Sequence, residues 1–466
     1  MSRLRFSARS ALVPLLAALV LAGCATSPAP IDPSSLPVTP TLFRESEAVA
    51  ASPAAPFQAQ WWKVFSDPML DRLVDQATRS NNSVQVAAGR LAQARAIAGA
   101  TDANRSVQVG LGAGAVRQTD PNANNRPKTL VSVGADLSYE VDLFGKLSGA
   151  SDAASLDAAS REALLRSTRL LVQADVAQTY LNLRALDTER ALVRDTLQAY
   201  RNTLRLTEVR FREGDVAELD VARVRSEVAS TESEALALDR QRAGLEHALA
   251  VLVGEVASSF QVAPAEWTTA LPVIPAGVPS TVLVRRPDVS AAQSSMQATQ
   301  ARVGVAKAAW FPVFSLTASG GYAAPEISDL FKMSTRAWGV GALLSLPIFD
   351  GGRREAGVQG ANAELDIALA SYREQILVAF RDVEDQLSAL RLLAEQSEAQ
   401  SRSVASSSRA TVLSDSRYRN GLVSQLELLD AQRSELRNRR QALQVRAAQY
   451  LATVGLIRAL GGGWNT

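Results

Sequence analysis

Thiol and imidazole chemistry rest on one residue each in this 466-residue chain, Cys24 and His247. A disulfide, a cysteine–histidine zinc site or a Cys–His catalytic pair each needs several such side chains converging, so those function classes are excluded at the outset. His247 stands between Leu245 and Leu249 in a helix-forming stretch, and with no nucleophile set beside it the residue reads as packing or surface. The run Gly110-Leu111-Gly112-Ala113-Gly114 lacks the spacing of a dinucleotide fingerprint. It falls within a strand pattern, where glycine marks a bend or a close approach of backbones. No catalysed reaction, cofactor or metal site is expected.

What remains for Cys24 is modification. A basic segment from Met1 to Arg9 and an apolar one from Ala11 to Leu21 precede Leu21-Ala22-Gly23-Cys24, the three parts of an export signal. The apolar segment is too short to span a bilayer of about 30 Å. A signal ending at cysteine resembles the bacterial lipobox. That resemblance implies cleavage before Cys24, an S-diacylglycerol on its thiol and an N-palmitoyl chain on its amine, and Ala25 rather than Asp after it implies the outer membrane. Removing Arg3, Arg5 and Arg9 with the signal takes the formal charge from +2 to −1, so nucleic acid gets no electrostatic support. Residues 24–60 are rich in Pro, Ala and Ser, cannot form a continuous helix and read as a tether from the lipid.

The elements behind the tether are duplicated. Arg210-Phe211-Arg212-Glu213-Gly214-Asp215-Val216 matches Arg417-Tyr418-Arg419-Asn420-Gly421-Leu422-Val423 at an offset of 207 residues. The same offset relates Gly114 to Gly321, Ser138 to Ser345 and Gly145 to Gly352, and so predicts a duplication free of insertions. Prolines and glycines between 256 and 286 mark the joint. Repeat 1 takes 61–255, repeat 2 takes 287–460, and 461–466 is a short tail.

Each copy reads as helix, strand, loop, strand, long helix, turn, long helix. Asp67-Pro68 is an N-cap with proline at the first helical position, and Asn81-Asn82-Ser83 interrupts and restarts that helix. Stretches 151–212 and 355–419 lack proline and are dense in Ala, Leu, Glu, Arg and Gln; each ends at a glycine, Gly214 or Gly421, after which a second helix returns to about 253 or 460. Leucines such as Leu164, Leu171, Leu181 and Leu192 recur at helical spacing, with small residues between them that permit close approach. Trp61 and Trp62 precede a helix start and read as wall packing.

The strands carry a period of two. Val131, Val133, Ala135, Leu137, Tyr139, Val141 and Leu143 alternate with Ser132, Gly134, Asp136, Ser138, Glu140 and Asp142. Hairpins are expected at about 106–143 and 312–349. One apolar face fits a membrane barrel, although a soluble sandwich alternates in the same way. Four strands cannot close a barrel, so spanning requires oligomerisation.

Several blocks resemble motifs of the TolC-like outer-membrane efflux proteins, most closely the NodT-type lipoprotein branch. They are Trp61-Trp62-Lys63-Val64-Phe65-Ser66-Asp67-Pro68, Tyr139-Glu140-Val141-Asp142-Leu143-Phe144-Gly145-Lys146, Arg285-Arg286-Pro287-Asp288, Pro347-Ile348-Phe349-Asp350-Gly351-Gly352-Arg353 and Leu426-Glu427-Leu428-Leu429-Asp430-Ala431-Gln432. The resemblance implies a mainly α fold with β: long helical hairpins plus four transmembrane strands per chain. Three chains then give a 12-strand β-barrel and a 12-helix tunnel. It further implies a passive exit duct for drugs, metals or other small molecules. The expected partners are a periplasmic adaptor, an inner-membrane pump of the resistance-nodulation-division class and outer-membrane lipid. Motif by motif, Asp220, Tyr418, Glu427 and Asp430 take the positions of gate residues near the turns at Gly214 and Gly421; Glu427 stands where Asp is more usual. The rival readings are the duct of a type I protein secretion system, with the same fold, and a coiled-coil scaffold lipoprotein.

Overall fold

The computed structural model describes residues 36–45, 60–119, 127–267, 269, 271–274, 282–283 and 285–463. The expected signal, Cys24, most of the tether and parts of the inter-repeat linker lie outside the described residues. The elements are α1 (Pro68–Ser80), α2 (Asn82–Ala103), β1 (Gln108–Thr119), β2 (Pro127–Val141), α3 (Lys146–Arg212) and α4 (Glu218–Val253), then α5 (Pro287–Ala308), β3 (Val313–Ala324), β4 (Arg336–Ser345), α6 (Arg353–Arg419) and α7 (Gln425–Ala459). No helix among the described residues is long and apolar enough to cross a membrane.

The offset between copies is not uniform. From α3 to α6 it is 207 residues (146 to 353), but from α2 to α5 and from β1 to β3 it is 205 (82 to 287, 108 to 313). The insertion-free register is therefore corrected: Gly114 corresponds to Ser319, not Gly321. Two residues enter the second copy between its strands, where the connection holds short 3-10 turns at Ile327–Asp329 and Met333–Thr335. A hairpin connection absorbs a length change with little entropic cost, whereas an insertion inside a paired strand turns its side chains to the wrong face.

Two compact units form, and each draws on both copies. One comprises Arg90–Glu162 and Ala291–Glu374; the other comprises Pro37–Gly89, Ala163–Ser290 and Gln375–Thr466.

The first unit holds one antiparallel sheet in the order β1-β2-β3-β4. Its register aligns Val109, Leu137, Ala318 and Val340 in one row and Leu111, Ala135, Gly320 and Trp338 in another, while Gly110, Asp136, Ser319 and Gly339 share the opposite face. The alternation seen along single strands thus adds up to a continuous apolar face. It is uncovered: Leu111, Trp338 and Val340 are 88%, 74% and 76% exposed. Gly321 is required at the β2–β3 seam, since a Cβ there would meet the Val133 carbonyl oxygen at 2.3 Å.

Both strand-to-helix corners are built alike. Asp142 accepts from the Leu147 amide at 3.1 Å and from the Ser148 amide and hydroxyl at 2.7 Å each, and Gly145 turns the chain at φ +74°. Burial pushes the Asp142 carboxyl up, but the bonds from Ser148 and the helix-start amides outweigh it and hold the group below the ordinary carboxylate range. In the second copy Asp350 accepts from the Gly352 amide (3.2 Å) and the Arg354 Nε (2.8 Å), with Gly352 at φ +88°. Phe144 and Phe311 stack at 4.8 Å beside the first corner.

The second unit is helical. Asp67 Oδ1 accepts from the Met69 and Leu70 amides at 2.9 and 3.2 Å, and Pro68 occupies the first turn. Asn81 caps α2 through the Ser83 amide (2.9 Å) and donates to the Leu252 carbonyl (2.8 Å), which ties the break between α1 and α2 to the end of α4. Trp61 and Trp62 are buried, edge to face at 6.0 Å, and Trp61 Nε1 donates to Gln173 at 3.3 Å. The leucine stripe is displaced over its first two members only: Leu181 is buried as expected, but Leu165 and Val172 enter the core while Leu164 and Leu171 stay 38% and 43% exposed. Those two leave an apolar strip that the single chain does not cover. His247 is exposed.

Candidate functional site: the helical turns and the pairs behind them

The two turns are copies of one motif. Gly214 (φ +83°) donates to the Phe211 carbonyl at 3.0 Å and Asp215 to Arg210 at 2.9 Å; Gly421 (φ +72°) donates to Tyr418 at 3.0 Å and Leu422 to Arg417 at 2.9 Å. These are Schellman caps, whose left-handed residue is glycine because a Cβ is disfavoured there. Ser424 then starts α7 and accepts from the Glu427 amide at 3.4 Å.

The four candidate residues are not gathered into one constellation within the chain. Tyr418 is buried, and its hydroxyl accepts from Arg210 Nη1 at 3.2 Å while the guanidinium lies 5.3 Å from the ring centre, joining α6 to α3. Asp430 pairs with Arg433 at 3.1 Å on its own helix, and Asp220 reaches Arg223 at 3.8 Å on its own. Glu427 is exposed at the third position of α7 and makes no ion pair among the described residues. Asp430 remains 60% exposed at its side chain.

The inter-helix bonds come largely from residues that sequence reasoning passed over. Gln425 Nε2 donates to the buried Thr207 hydroxyl at 2.8 Å, joining α7 to α3. Arg433 also pairs with Glu227 on α4; one heptad further, Arg440 pairs with Glu234 on α4 and with Glu189 on α3 at 2.7 Å. Two arginine rungs thus connect the returning helices of the two copies. The hydrogen bond from Arg433 to Glu227 holds its guanidinium above the usual range, against a smaller effect of burial. Tyr200 lies buried beside these rungs with an unpartnered hydroxyl; burial, with Glu227 nearby and Arg433 opposing, pushes it up to about 12.

A second network pins the inter-repeat segment. Asp187, 3% exposed at its side chain, pairs with Arg242 (2.7 Å), Arg184 (3.2 Å) and Arg190 (3.3 Å). Arg184 donates to the Ala263 carbonyl at 2.8 Å, Arg242 donates to the Val262 carbonyl, and Glu246 accepts from the Val262 amide at 2.6 Å. Tyr180 bridges from Arg184 to the capping Asp67, donating to it at 2.7 Å. No sequence pattern marks these residues, because arginine and aspartate at helical spacing read equally as a solvated face.

Charged pairs at helix ends and between helices can hold and release a helix bundle; around these turns no described residues are arranged as nucleophile, base and oxyanion site. The described residues contain no cluster of three or more potential metal ligands.

Comparison with known proteins agrees with this geometry. A model described as outer membrane efflux protein matches residues 73–255 and 278–462. The pyoverdine export outer membrane protein OpmQ of Pseudomonas aeruginosa is 34% identical over 461 residues, 97% of this chain and 96% of that one. The outer membrane protein OprJ of the same organism is 34% identical over 97% of this chain and 95% of its own. The solved outer-membrane channel OprN superposes with a TM-score of 0.87 at 29% identity, covering 94% of this chain and all of that one. With one-sided apolar strands, duplicated helical hairpins and relatives matched along nearly their full length, the chain belongs to the outer membrane efflux protein family.

Proposed function

We propose that three copies of this outer-membrane efflux channel close their sheets into a twelve-strand barrel and align their helical hairpins into a twelve-helix tunnel. The assembly is a passive exit duct. An inner-membrane pump of the resistance-nodulation-division class supplies the energy through a periplasmic adaptor, and small molecules selected by that pump are the cargo. The observation that carries this reading is a four-stranded sheet that, among the described residues, has one uncovered apolar face and both edge strands unpaired on one side. An open edge is not tolerated in hydrocarbon, and four strands are too few to close. Bilayer conductance of the purified mature protein, with its mass in detergent, tests this. A conducting trimer is expected; a non-conducting monomer overturns it.

The turns at Gly214 and Gly421 form the resting gate in this reading, with Asp220, Glu427 and Asp430 contributing carboxylates around the axis and Tyr418 locked by Arg210. Carboxylates repeated around a pore focus a negative potential. The double variant Asp220→Ala with Asp430→Ala is expected to raise single-channel conductance and lower cation selectivity and multivalent-cation block, with the trimer intact. Each exposed pair contributes only about 0–1 kcal/mol, so the change arises from three copies acting together. Unchanged currents in an inserted double variant would move the gate elsewhere.

Cys24 is read as the lipid anchor, on the strength of the signal sequence that ends there. Cys24→Ser is expected to abolish incorporation of labelled palmitate while leaving barrel insertion in place, since the strands bury apolar area without the lipid. Palmitate label on the variant would refute the assignment.

A further inference from the structure

The free edge of β4 and the free edge of β1 face no strand among the described residues, and the internal duplication supplies a template for how they meet. The β2–β3 ladder is itself a junction from copy one to copy two. If second copies complete the sheet, the β4–β1 junction is the same step from copy two onward to copy one of the next chain.

The ladders fix the sum of the two offsets needed, and the matching starts and ends of α2 and α5 and of β1 and β3 set how that sum divides. β1 maps onto β3 at 205 residues (Gln108 to Val313), and Gln108 pairs with Ser138 while Val313 pairs with Ser345, so β2 maps onto β4 at 207 (138 to 345). Carried forward and back by these offsets, Leu137 opposite Ala318 becomes Leu344 opposite Ala113, and Ser138 opposite Thr317 becomes Ser345 opposite Gly112.

We infer that β4 pairs antiparallel with β1 of a second copy in this one register, Leu344 against the partner subunit's Ala113. This rests on the closed-barrel reading above and adds the residue-level alignment of its seam.

Side-chain sizes are compatible with it. On the apolar face the internal seam runs Val141·Phe314, Tyr139·Leu316, Leu137·Ala318, Ala135·Gly320: large, large, mixed, small. In the inferred register the seam between copies runs Ile348·Val109, Leu346·Leu111, Leu344·Ala113, Ala342·Ala115, the same order. A slip of two residues, the smallest that keeps the apolar face outward, would set Leu344 against Leu111 in one direction and against Ala115 in the other. The residues concerned are uncovered in the single chain: Ile348 is 91% exposed, Leu111 88% and Val109 70%. On the opposite face, a Cβ built on Gly112 or Gly114 meets nothing within 4 Å, so the β1 edge has room there for side chains of the incoming strand.

The test is oxidative cross-linking of the full-length protein in outer membranes, read as covalent dimer and trimer on denaturing gels. Wild type, with Cys24 as its lone cysteine, is the background. Two in-register pairs, one per face, are Leu344→Cys with Ala113→Cys and Ser345→Cys with Gly112→Cys. Their two-residue controls are Leu344→Cys with Ala115→Cys, Leu344→Cys with Leu111→Cys, and Ser345→Cys with Gly114→Cys. Opposed strand residues hold their Cβ atoms about 4.5–5.5 Å apart and diagonal ones about 7–8 Å, beyond the reach of a disulfide, so at least about tenfold more cross-linked product is expected in register. The same samples are weighed intact in detergent. A trimer that cross-links better in a control pair, or in no pair, overturns the register while the barrel reading stands. A monomer overturns both.

Discussion

Arg286→Ala is expected to cost about 1–3 kcal/mol of stability in the helical unit, because it leaves two half-buried carboxylates and a helix-end carbonyl without their cation. Arg286 is 6% exposed and serves three elements at once. Its guanidinium pairs with Asp288 at 2.7 Å in the first turn of α5 and with Asp382 at 3.1 Å on α6, and it donates to the Ala459 carbonyl at 3.1 Å at the end of α7. Burial pulls its pKa down, but the two aspartates outweigh that and hold it above the ordinary range, so the charge is kept. Gln375 adds a further bond to Asp288 at 2.8 Å. Arg286→Lys is expected to recover only part of the loss, since one ammonium cannot reproduce a planar fork aimed at three acceptors. The measurement is the thermal or denaturant midpoint of the purified protein in detergent, with proteolysis near the C-terminal helix as a local readout. A midpoint within error of wild type for the alanine variant would show that the clamp contributes nothing net.

The second large effect concerns insertion. Leu137→Arg or Val340→Arg places a charge in the row shared by Val109 and Ala318, on the uncovered apolar face. At midplane such a charge costs about 2–4 kcal/mol, and each chain of an oligomer carries it. The same change at Ser138, whose row partners are Gln108 and Thr317, faces the polar side and is expected to be mild. Fractionated outer membranes, blotted for folded and heat-denatured forms, should lose the Leu137 and Val340 variants and keep Ser138→Arg. Equal losses on both faces would mean that this sheet does not meet lipid.

Much of the fold was legible in the sequence because its signals are local. Asp67-Pro68 and Asn81 announce helix starts through short-range capping, the glycines at 214 and 421 mark positive φ, and the period of two along Val131–Leu143 gives a strand wherever that strand pairs. The long helices extend a few residues beyond their expected starts, since Asp142 and Asp350 cap them from outside the helix-rich stretch. The two-residue change between copies stayed hidden because a single glycine match, Gly114 to Gly321, carries little information in a glycine-rich strand. Which heptad positions point inward was also hidden: Leu164 and Leu165 have the same chemistry, and only packing separates them. The pairs behind the turns were the least legible. Gln425 and Thr207, or Arg433 and Glu227, become partners through α7 lying beside α3 and α4, a long-range fact that no spacing along the chain encodes.

The two arginine rungs, Arg433 on Glu227 and Arg440 on Glu234, are separated by the same heptad on both helices. Such a rack has discrete stops. Sliding α7 along α4 by any small distance breaks both rungs, and the next position that re-forms even one lies about 10 Å away, seven residues of helical rise. Axial creep between these helices therefore costs both rungs at once, whereas a hinge that swings the turn ends while the rungs stay engaged costs only the bonds nearer the turns, Arg210 to Tyr418 and Gln425 to Thr207. Resistance to motion in this part of the molecule is thus directional: sliding along the helix axes must release the rungs, and swinging the turns must release a different, separate set of bonds.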